Sequence, residues 1–317
     1  MRTLLLLGLI FFAAGLSAQT FPQRPVRIVV PFPPGGSTDI TARLIAPQLQ
    51  EAWKQPVLVE NRPGAGANIG AEFVAKSAPD GHTLLLATTA LAASAAIAEK
   101  LAYDPRKDLV PVVFLSSIPN VLVVPPSLPA STPQEFVALA RAQPGKLNFA
   151  SPGATTGQRL TFELLKQMTG IDVVHVPYKG GAPAGQAVIA GEVQSMIMNV
   201  VEAVPHLKAG RLKAIAATTA RRAAMLPELP TLSETVAPGL DASVWQGVLA
   251  SGGTPRHIIE RINRDLAAAL AQPDVRERLA GMGMELGPGS PADFERFLGE
   301  EISKWSRVAK AANVKAE

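Results

Sequence analysis

Val26-Arg27-Ile28-Val29-Val30 runs without a gap into Pro31-Phe32-Pro33-Pro34-Gly35-Gly36-Ser37-Thr38-Asp39, and Ile40, Leu44, Ile45, Leu49 and Trp53 follow at helical spacing. Five residues dominated by Val and Ile read as a strand buried on both faces. The recurrence three to five residues apart after the glycines reads as one apolar face of a helix. Val57-Leu58-Val59 and Leu84-Leu85-Leu86 are further strands of the same kind. Strands alternating with helices make an α/β fold with a largely parallel sheet.

The alternation continues outward from that stretch. Thr132-Pro133-Gln134-Glu135 and Ser290-Pro291-Ala292-Asp293 each supply a cap, a proline at the first helical position and an acid at the third, and Thr254-Pro255 starts another helix. Ile258 to Leu279, broken at Gln272-Pro273, and Phe294 to Val308 read as amphipathic scaffold helices, and the alanine-rich stretch 90–98 as a helix. Two strand-like runs end in breaker clusters: Val121 to Val124 before Pro125-Pro126, and Val244 to Leu249 before Ser251-Gly252-Gly253. Read as crossings between two lobes, they put residues 19–123 and 245–317 in lobe one and residues 124–244 in lobe two. Two crossings permit a hinge.

At the start of the chain, Met1-Arg2, an apolar run from Thr3 to Leu16 and the small pair Ser17-Ala18 read as a secretory signal peptide, residues 1–18, cut after Ala18. The run is shorter than the roughly 20 residues a spanning helix needs. The remaining chain of about 300 residues is expected in the periplasm and exceeds what one core encloses, so two domains are expected. There is no cysteine, which excludes disulfides, thiolate nucleophiles, cysteine metal sites and a lipid-bearing cysteine. Thirty basic residues stand against 26 acidic ones and aromatics are 5%, so no basic stripe with stacking platforms points to nucleic acid.

Chemistry concentrates in turns before helices. Gly35 and Gly36 let backbone N–H groups approach a ligand, and Ser37, Thr38 or Asp39 can cap the helix behind them. Unpaired N–H groups and the positive end of the helix dipole make a site for an anion, although an ordinary capped turn has the same sequence. Asn148-Phe149-Ala150 leads into a second such turn, Ser151-Pro152-Gly153-Ala154-Thr155-Thr156-Gly157-Gln158, before a helix ended by Gly170. One such turn in each lobe can grip one carboxylate from both sides and drive closure.

Other chemistries lack their marks. Gly64-Ala65-Gly66-Ala67-Asn68-Ile69-Gly70 follows the dinucleotide glycine spacing superficially, but it stands after Asn61-Arg62-Pro63 with no acid some 20 residues on, and reads as a loop. His82, His175, His206 and His257 lack metal spacing, and His175 reads as a satisfied, half-buried strand residue. Neither a metal, a cofactor nor a catalytic residue is expected. An enzyme in the same cleft, a secreted hydrolase or isomerase, would need a base, for which only His175 or Asp39 is a candidate, and serine hydrolysis by Ser37 has no support.

Over nearly its whole length the chain resembles the substrate-binding receptors of tripartite tricarboxylate transporters, the Bug receptors. The resemblance rests on residues 22–39, on Glu60-Asn61-Arg62-Pro63-Gly64-Ala65-Gly66, on Ala78-Pro79-Asp80-Gly81-His82-Thr83-Leu84-Leu85, on Val176-Pro177-Tyr178-Lys179-Gly180-Gly181-Ala182-Pro183-Ala184 and on Pro205-His206-Leu207-Lys208-Ala209-Gly210, in that order. It implies a two-lobed periplasmic binding protein fold of type II-like form, a small organic acid ligand, and delivery to membrane transporter subunits. It also implies that the loop from Phe32 to Asp39 (Phe32, Gly35, Gly36, Ser37, Thr38, Asp39) and the loop from Ser151 to Gln158 (Ser151, Gly153, Thr155, Thr156, Gln158) hold the carboxylate. Thr88, Thr89, Tyr178, Asn199 and Trp245 are further cleft residues on the same grounds.

Two departures bear on the ligand. Thr155 and Arg159-Leu160 replace the family's glycine and His-Leu pair, with Arg159 read as a surface residue of the helix's first turn or as a reach towards a second acidic group. Met198 stands where family members often have an acid able to hold an amino group, so a ligand without a cationic amine is expected. A monomer is expected, since capture needs one cleft. A sensor that presents the ligand to a membrane signalling protein is the alternative output.

Overall fold

The computed structural model describes residues 21–97, 100–153, 156–287 and 289–314; the expected signal peptide, residues 1–18, and Thr155 lie outside them. The first half of the fold is built from β1 (Val26–Val30), α1 (Ser37–Trp53), β2 (Val57–Asn61), α2 (Asn68–Ala75), β3 (Thr83–Thr88) and α3 (Thr89–Ile97). β4 (Leu109–Val124) leads out of it into α4 (Pro133–Ala142), β5 (Asn148–Ser151), α5 (Gly157–Thr169), β6 (Val174–Pro177) and α6 (Gly181–Ile189). β7 (Ser195–Asn199), α7 (Val200–Lys208), β8 (Lys213–Ala217) and α8 (Leu232–Thr235) complete the second half. β9 (Ser243–Ser251) brings the chain back to α9 (Arg256–Ala271), α10 (Pro273–Gly281), β10 (Glu285–Leu286) and α11 (Pro291–Ala311).

β1 pairs in parallel with β2 and β3, Ile28 standing beside Val59 and Leu84, as an α/β alternation requires. The strand order is β2-β1-β3-β9-β4-β7-β5-β6, with β8 and β10 also on β4. β4 is the shared element. From Leu109 to Pro119 it lies antiparallel to β9, and from Asn120 onwards it pairs with β7 and β8. The change of partner therefore falls between Pro119 and Asn120, one residue before the run 121–124 that the sequence marks as a crossing. Pro125-Pro126 ends the strand, whereas a change of partner needs no breaker, only a residue such as Pro119 that has no N–H to give.

Four apolar clusters fill the halves, one on each face of each half-sheet. The first two are drawn from residues 26–118 and 242–314 and the other two from 121–240, with one exception. Leu160, on α5, is fully buried in the second cluster, beside Leu91, Trp245 and Phe294, and Gln167 on the same helix donates to the Val308 carbonyl at 2.9 Å. α5 thus belongs to one half and packs on the other.

Local signals are met in most elements. α4 and α11 carry complete capping boxes, Thr132 with Glu135 and Ser290 with Asp293, and Gly170 ends α5 in the left-handed conformation at φ +67°. α9 begins without a side-chain cap, because the Thr254 hydroxyl turns back to the Ser251 carbonyl. The stretch 64–70, read as a loop, holds a 3-10 turn over Ala65–Ala67 and the start of α2. Burial of Ala71 and Val74 against the second cluster outweighs the glycines there. No helix among the described residues is long and apolar enough to cross a membrane.

Candidate ligand-binding cleft

In an open α/β sheet ligands bind beyond the carboxyl ends of the strands. β1 and β3 end in the starts of α1 and α3, and β5, β6 and β7 end in the starts of α5, α6 and α7. The halves meet there: a Cβ added to Gly157, first residue of α5, would lie 2.7 Å from Thr89 Cγ2, at the start of α3. On the other flank a Cβ on Gly283 would lie 3.0 Å from Val200 Cγ1, at the start of α7. Helix starts from both halves thus border one cleft.

The first loop is open and uncapped. Gly35 has φ +90°, which only glycine adopts without strain, and neither Gly35 nor Gly36 has anything within 4 Å of where a Cβ would stand. Gly36, with no side-chain hydrogen bond, is the N-cap of α1. Ser37, Thr38 and Asp39, expected as caps, are instead its first turn. Asp39 is turned away from the cleft: its carboxylate accepts from Gly35 N at 3.0 Å, from Arg43 Nε at 3.0 and 3.1 Å and from Asn61 Nδ2 at 2.9 Å. The Arg43 hydrogen bond, above all, brings its pKa down to about 2. Asp39 and the Gly35 N–H are therefore spent on the shape of the loop, whereas the N–H groups of the first turn have no partner within a helix. Asn61 also donates to the Phe32 carbonyl, and the half-buried Phe32 ring packs on the first cluster.

The second loop spends its hydroxyls in the same way. Ser151 is fully buried, its Oγ 2.7 Å from His175 Nε2, 2.9 Å from the Gly153 carbonyl and 3.3 Å from Gly153 N. Thr156 donates to the Gly153 carbonyl and caps α5 by accepting from Arg159 N. Ser151 is thus an anchor and not a direct donor. Burial, with the positive charges of Arg159 and Lys166 behind it, brings the His175 pKa down to about 4, so the imidazole is neutral at neutral pH. Gly153, Thr156 and Gln158 are half-buried at the cleft edge. Tyr178 is half-buried beside them, its N–H on the Ser151 carbonyl at 2.9 Å.

One residue expected in the wall, Trp245, faces the core instead. Trp245 is fully buried between Phe294 and Phe297, with Nε1 on Glu301 at 3.1 Å. One residue's difference in strand register sets it on the core face. Thr88 and Thr89 are also buried, and the Thr89 hydroxyl joins α3 to β9 through Trp245 N and the Ser243 carbonyl. Met198 is buried too, its methyl under Gly185, so an acid at that position would point into the core. The expectation that the ligand lacks an amine loses its support with that placement.

Three polar residues escaped the sequence reading. Gln246 is fully buried with neither amide atom bonded, Asn120 is buried with Oδ1 unbonded, and Glu202 stands in the first turn of α7 beside Asn199. Asn120 could have been found, since a polar residue interrupts the apolar run of β4. Glu202 carries no local mark. A separate cavity of about 410 Å³, bounded by Thr132, Ile215 and Met225 to Pro230, opens beside the start of α4, at the opposite end of these strands, and receives none of the helix starts of the cleft.

The model of the tripartite tricarboxylate transporter family receptor matches residues 41–314. BugT of Bordetella pertussis is 37% identical over 320 residues, 99% of this chain and 98% of that protein. Among solved structures, R. palustris Rpa4515 with adipate is 37% identical with a TM-score of 0.84, covering 94% of this chain and 100% of that one. MatC (Rpa3494) from Rhodopseudomonas palustris with bound malate is 36% identical with a TM-score of 0.80, covering 91% of this chain and 99% of that one. The fold shared with these neighbours is two-lobed α/β. The chain belongs to the tripartite tricarboxylate transporter receptor family, whose members are periplasmic solute-binding receptors.

Proposed function

We propose that this chain captures a small organic acid by closing its two lobes on a carboxylate and hands it, unchanged, to the membrane subunits of a tripartite tricarboxylate-type transporter. The observation that carries the reading is the pair of helix starts, α1 from lobe one and α5 from lobe two, whose first N–H groups have no partner along their own helices. A carboxylate between them takes hydrogen bonds from both lobes only when they are close, so it binds the closed form more tightly and shifts the population towards it. Gly36, Ser37 and Thr38 on one side and Gly153, Thr155, Thr156 and Gln158 on the other are the proposed contacts, with Tyr178 and Asn199 bounding the ligand.

Adipate and malate in the two solved neighbours are carboxylates, which supports the ligand class. The hinge is proposed where the sheet changes partners, at 119–120 and 242–243, close to the division into residues 19–123 with 245–317 and residues 124–244. The chain acts as a monomer after removal of residues 1–18. A receptor without turnover also accords with the fate of the two candidate bases: Asp39 and His175 are both engaged in holding loops.

The test is thermal unfolding of the purified protein, stripped of carried-over ligand, against mono-, di- and tricarboxylates and aromatic acids. A specific ligand at 100 times its dissociation constant adds about 2.7 kcal/mol and raises the midpoint by roughly 5 to 10 °C, and the ligand is recovered intact. No shift with any carboxylate removes the clamp, and consumption of the binder removes the receptor.

A further inference from the structure

At the lobe-two side of the cleft the protein presents acceptors instead of donors. Asn120 and Asn199 stand directly opposite each other on β4 and β7, so their side chains share one face at the cleft end of the sheet. Asn120 is 1% exposed, and the Oδ1 atoms of both residues are buried and accept no hydrogen bond from the protein. The Asn199 amide is oriented by its Nδ2, which donates to Glu202 Oε1 at 3.3 Å. The other Glu202 oxygen lies where a Cβ on Gly181 would be only 3.2 Å away, so the carboxylate is wedged between the starts of α6 and α7. Glu202 as a residue is exposed, yet partial burial of its carboxyl raises its pKa against the pull of the Asn199 hydrogen bond. No cation among the described residues forms an ion pair with it.

Buried carbonyl oxygens without donors are rare in folded proteins because the desolvation cost goes uncompensated. Two of them, on one face and next to a carboxylate with no ion pair among the described residues, form a subsite richer in acceptors than in donors. A second carboxylate in a ligand would meet three acceptors and a like charge there; a hydroxyl, an amide N–H or an ammonium would satisfy them.

We infer that Asn120, Asn199 and Glu202 select the far end of the ligand, and that the ligand is a carboxylate bearing a hydrogen-bond-donating group, unlike the dicarboxylate adipate of its solved neighbour. The inference rests on the carboxylate clamp proposed above. The test is titration calorimetry of the purified protein at pH 7.5 with matched four- and six-carbon acids: 4-hydroxybutyrate, 4-aminobutyrate and succinamate against succinate, and 6-hydroxyhexanoate, 6-aminohexanoate and adipamate against adipate. At one chain length a donor-ended acid binds at least about tenfold tighter than its dicarboxylate, and Glu202→Gln, which keeps shape and removes the charge, cuts that preference by about tenfold. A dicarboxylate that binds wild type as tightly as its donor-ended partners, or a preference that Glu202→Gln leaves intact, overturns the subsite while sparing the clamp. No binding by any acid in either series overturns both.

Discussion

The loop after β1 and the loop after β5 both deliver a helix start to the cleft, yet the first is held by charge and the second by neutral groups. In lobe one a buried carboxylate, Asp39, gathers Gly35 N–H, Arg43 and Asn61, and leaves α1 uncapped. In lobe two an imidazole and two hydroxyls, His175, Ser151 and Thr156, tie the loop down, and α5 keeps a side-chain cap. The difference teaches that an acid in one such loop and hydroxyls in the other can be consumed in shaping it. Backbone N–H groups at the helix starts are left without helical partners, which is why the glycines matter to the proposed clamp. It also means that the two lobes lose their loops under different conditions.

Removing the charge gives the largest expected effect. Asp39→Ala leaves Gly35 N–H and Asn61 without their acceptor, and should cost about 2 to 3 kcal/mol in denaturant unfolding. The Arg43 side chain is 53% exposed and rehydrates, which keeps the figure below that of a fully buried pair. Carboxylate binding should weaken about tenfold; an unchanged affinity would mean that the loop needs no such anchor.

Acid separates the lobes next. His175 has a folded pKa of about 4 against an ordinary 6.5, so between those values the unfolded chain binds more protons. Its contribution is fully present above pH 6.5 and is lost as pH falls to 4, by up to about 2 kcal/mol once partial exposure is discounted. Asp39, depressed to about 2, contributes above pH 4 and is lost only below it. Urea unfolding at pH 7, 5 and 4 should therefore show a decline that His175→Phe flattens and Asp39→Asn does not.

Two glycines give a smaller contrast. Gly157→Ala places a methyl 2.7 Å from Thr89 Cγ2 and should cost about 1 to 2 kcal/mol by forcing the lobes apart. Gly36→Ala meets nothing and should change stability by less than about 0.5 kcal/mol while weakening ligand binding, because its methyl enters the cleft. Equal stability losses in the two variants would break the assignment of one glycine to the lobe contact and the other to the ligand. Smallest for binding is Trp245→Phe: it removes the bond to Glu301 and should cost about 1 kcal/mol in melting with affinity unchanged within about twofold. A large affinity loss would return Trp245 to the cleft wall.

Much of the fold was legible in the chain, and for local reasons. Val26 to Val30 as strand, the capping boxes at Thr132 and Ser290, the break at Gln272-Pro273 and the stop at Gly170 all depend on residues within a few positions of one another. β4 was legible only in part. Its last residues read as a strand, but that one strand of 16 residues serves both halves depends on what pairs with it, and pairing is a long-range fact. At the site the glycines were legible because a turn and a close approach are backbone properties. Side-chain direction was not. Trp245 and Gln246 are neighbours in sequence and stand on opposite faces of β9, and nothing near them says which face looks to core.

The sequence alone determined the alternation of strands and helices, the helix ends and the two glycine-bearing turns, because these follow from propensity, capping and φ at single positions. Only the tertiary structure decided that Asp39 and Ser151 are anchors, that Met198 and Trp245 are core, and that Asn120, Asn199 and Glu202 converge from β4, β7 and α7. Hydrogen bonds are satisfied by whichever partner the fold brings within about 3 Å, and the deciding partners, Asn61 for Asp39, His175 for Ser151 and Glu301 for Trp245, stand well apart along the chain.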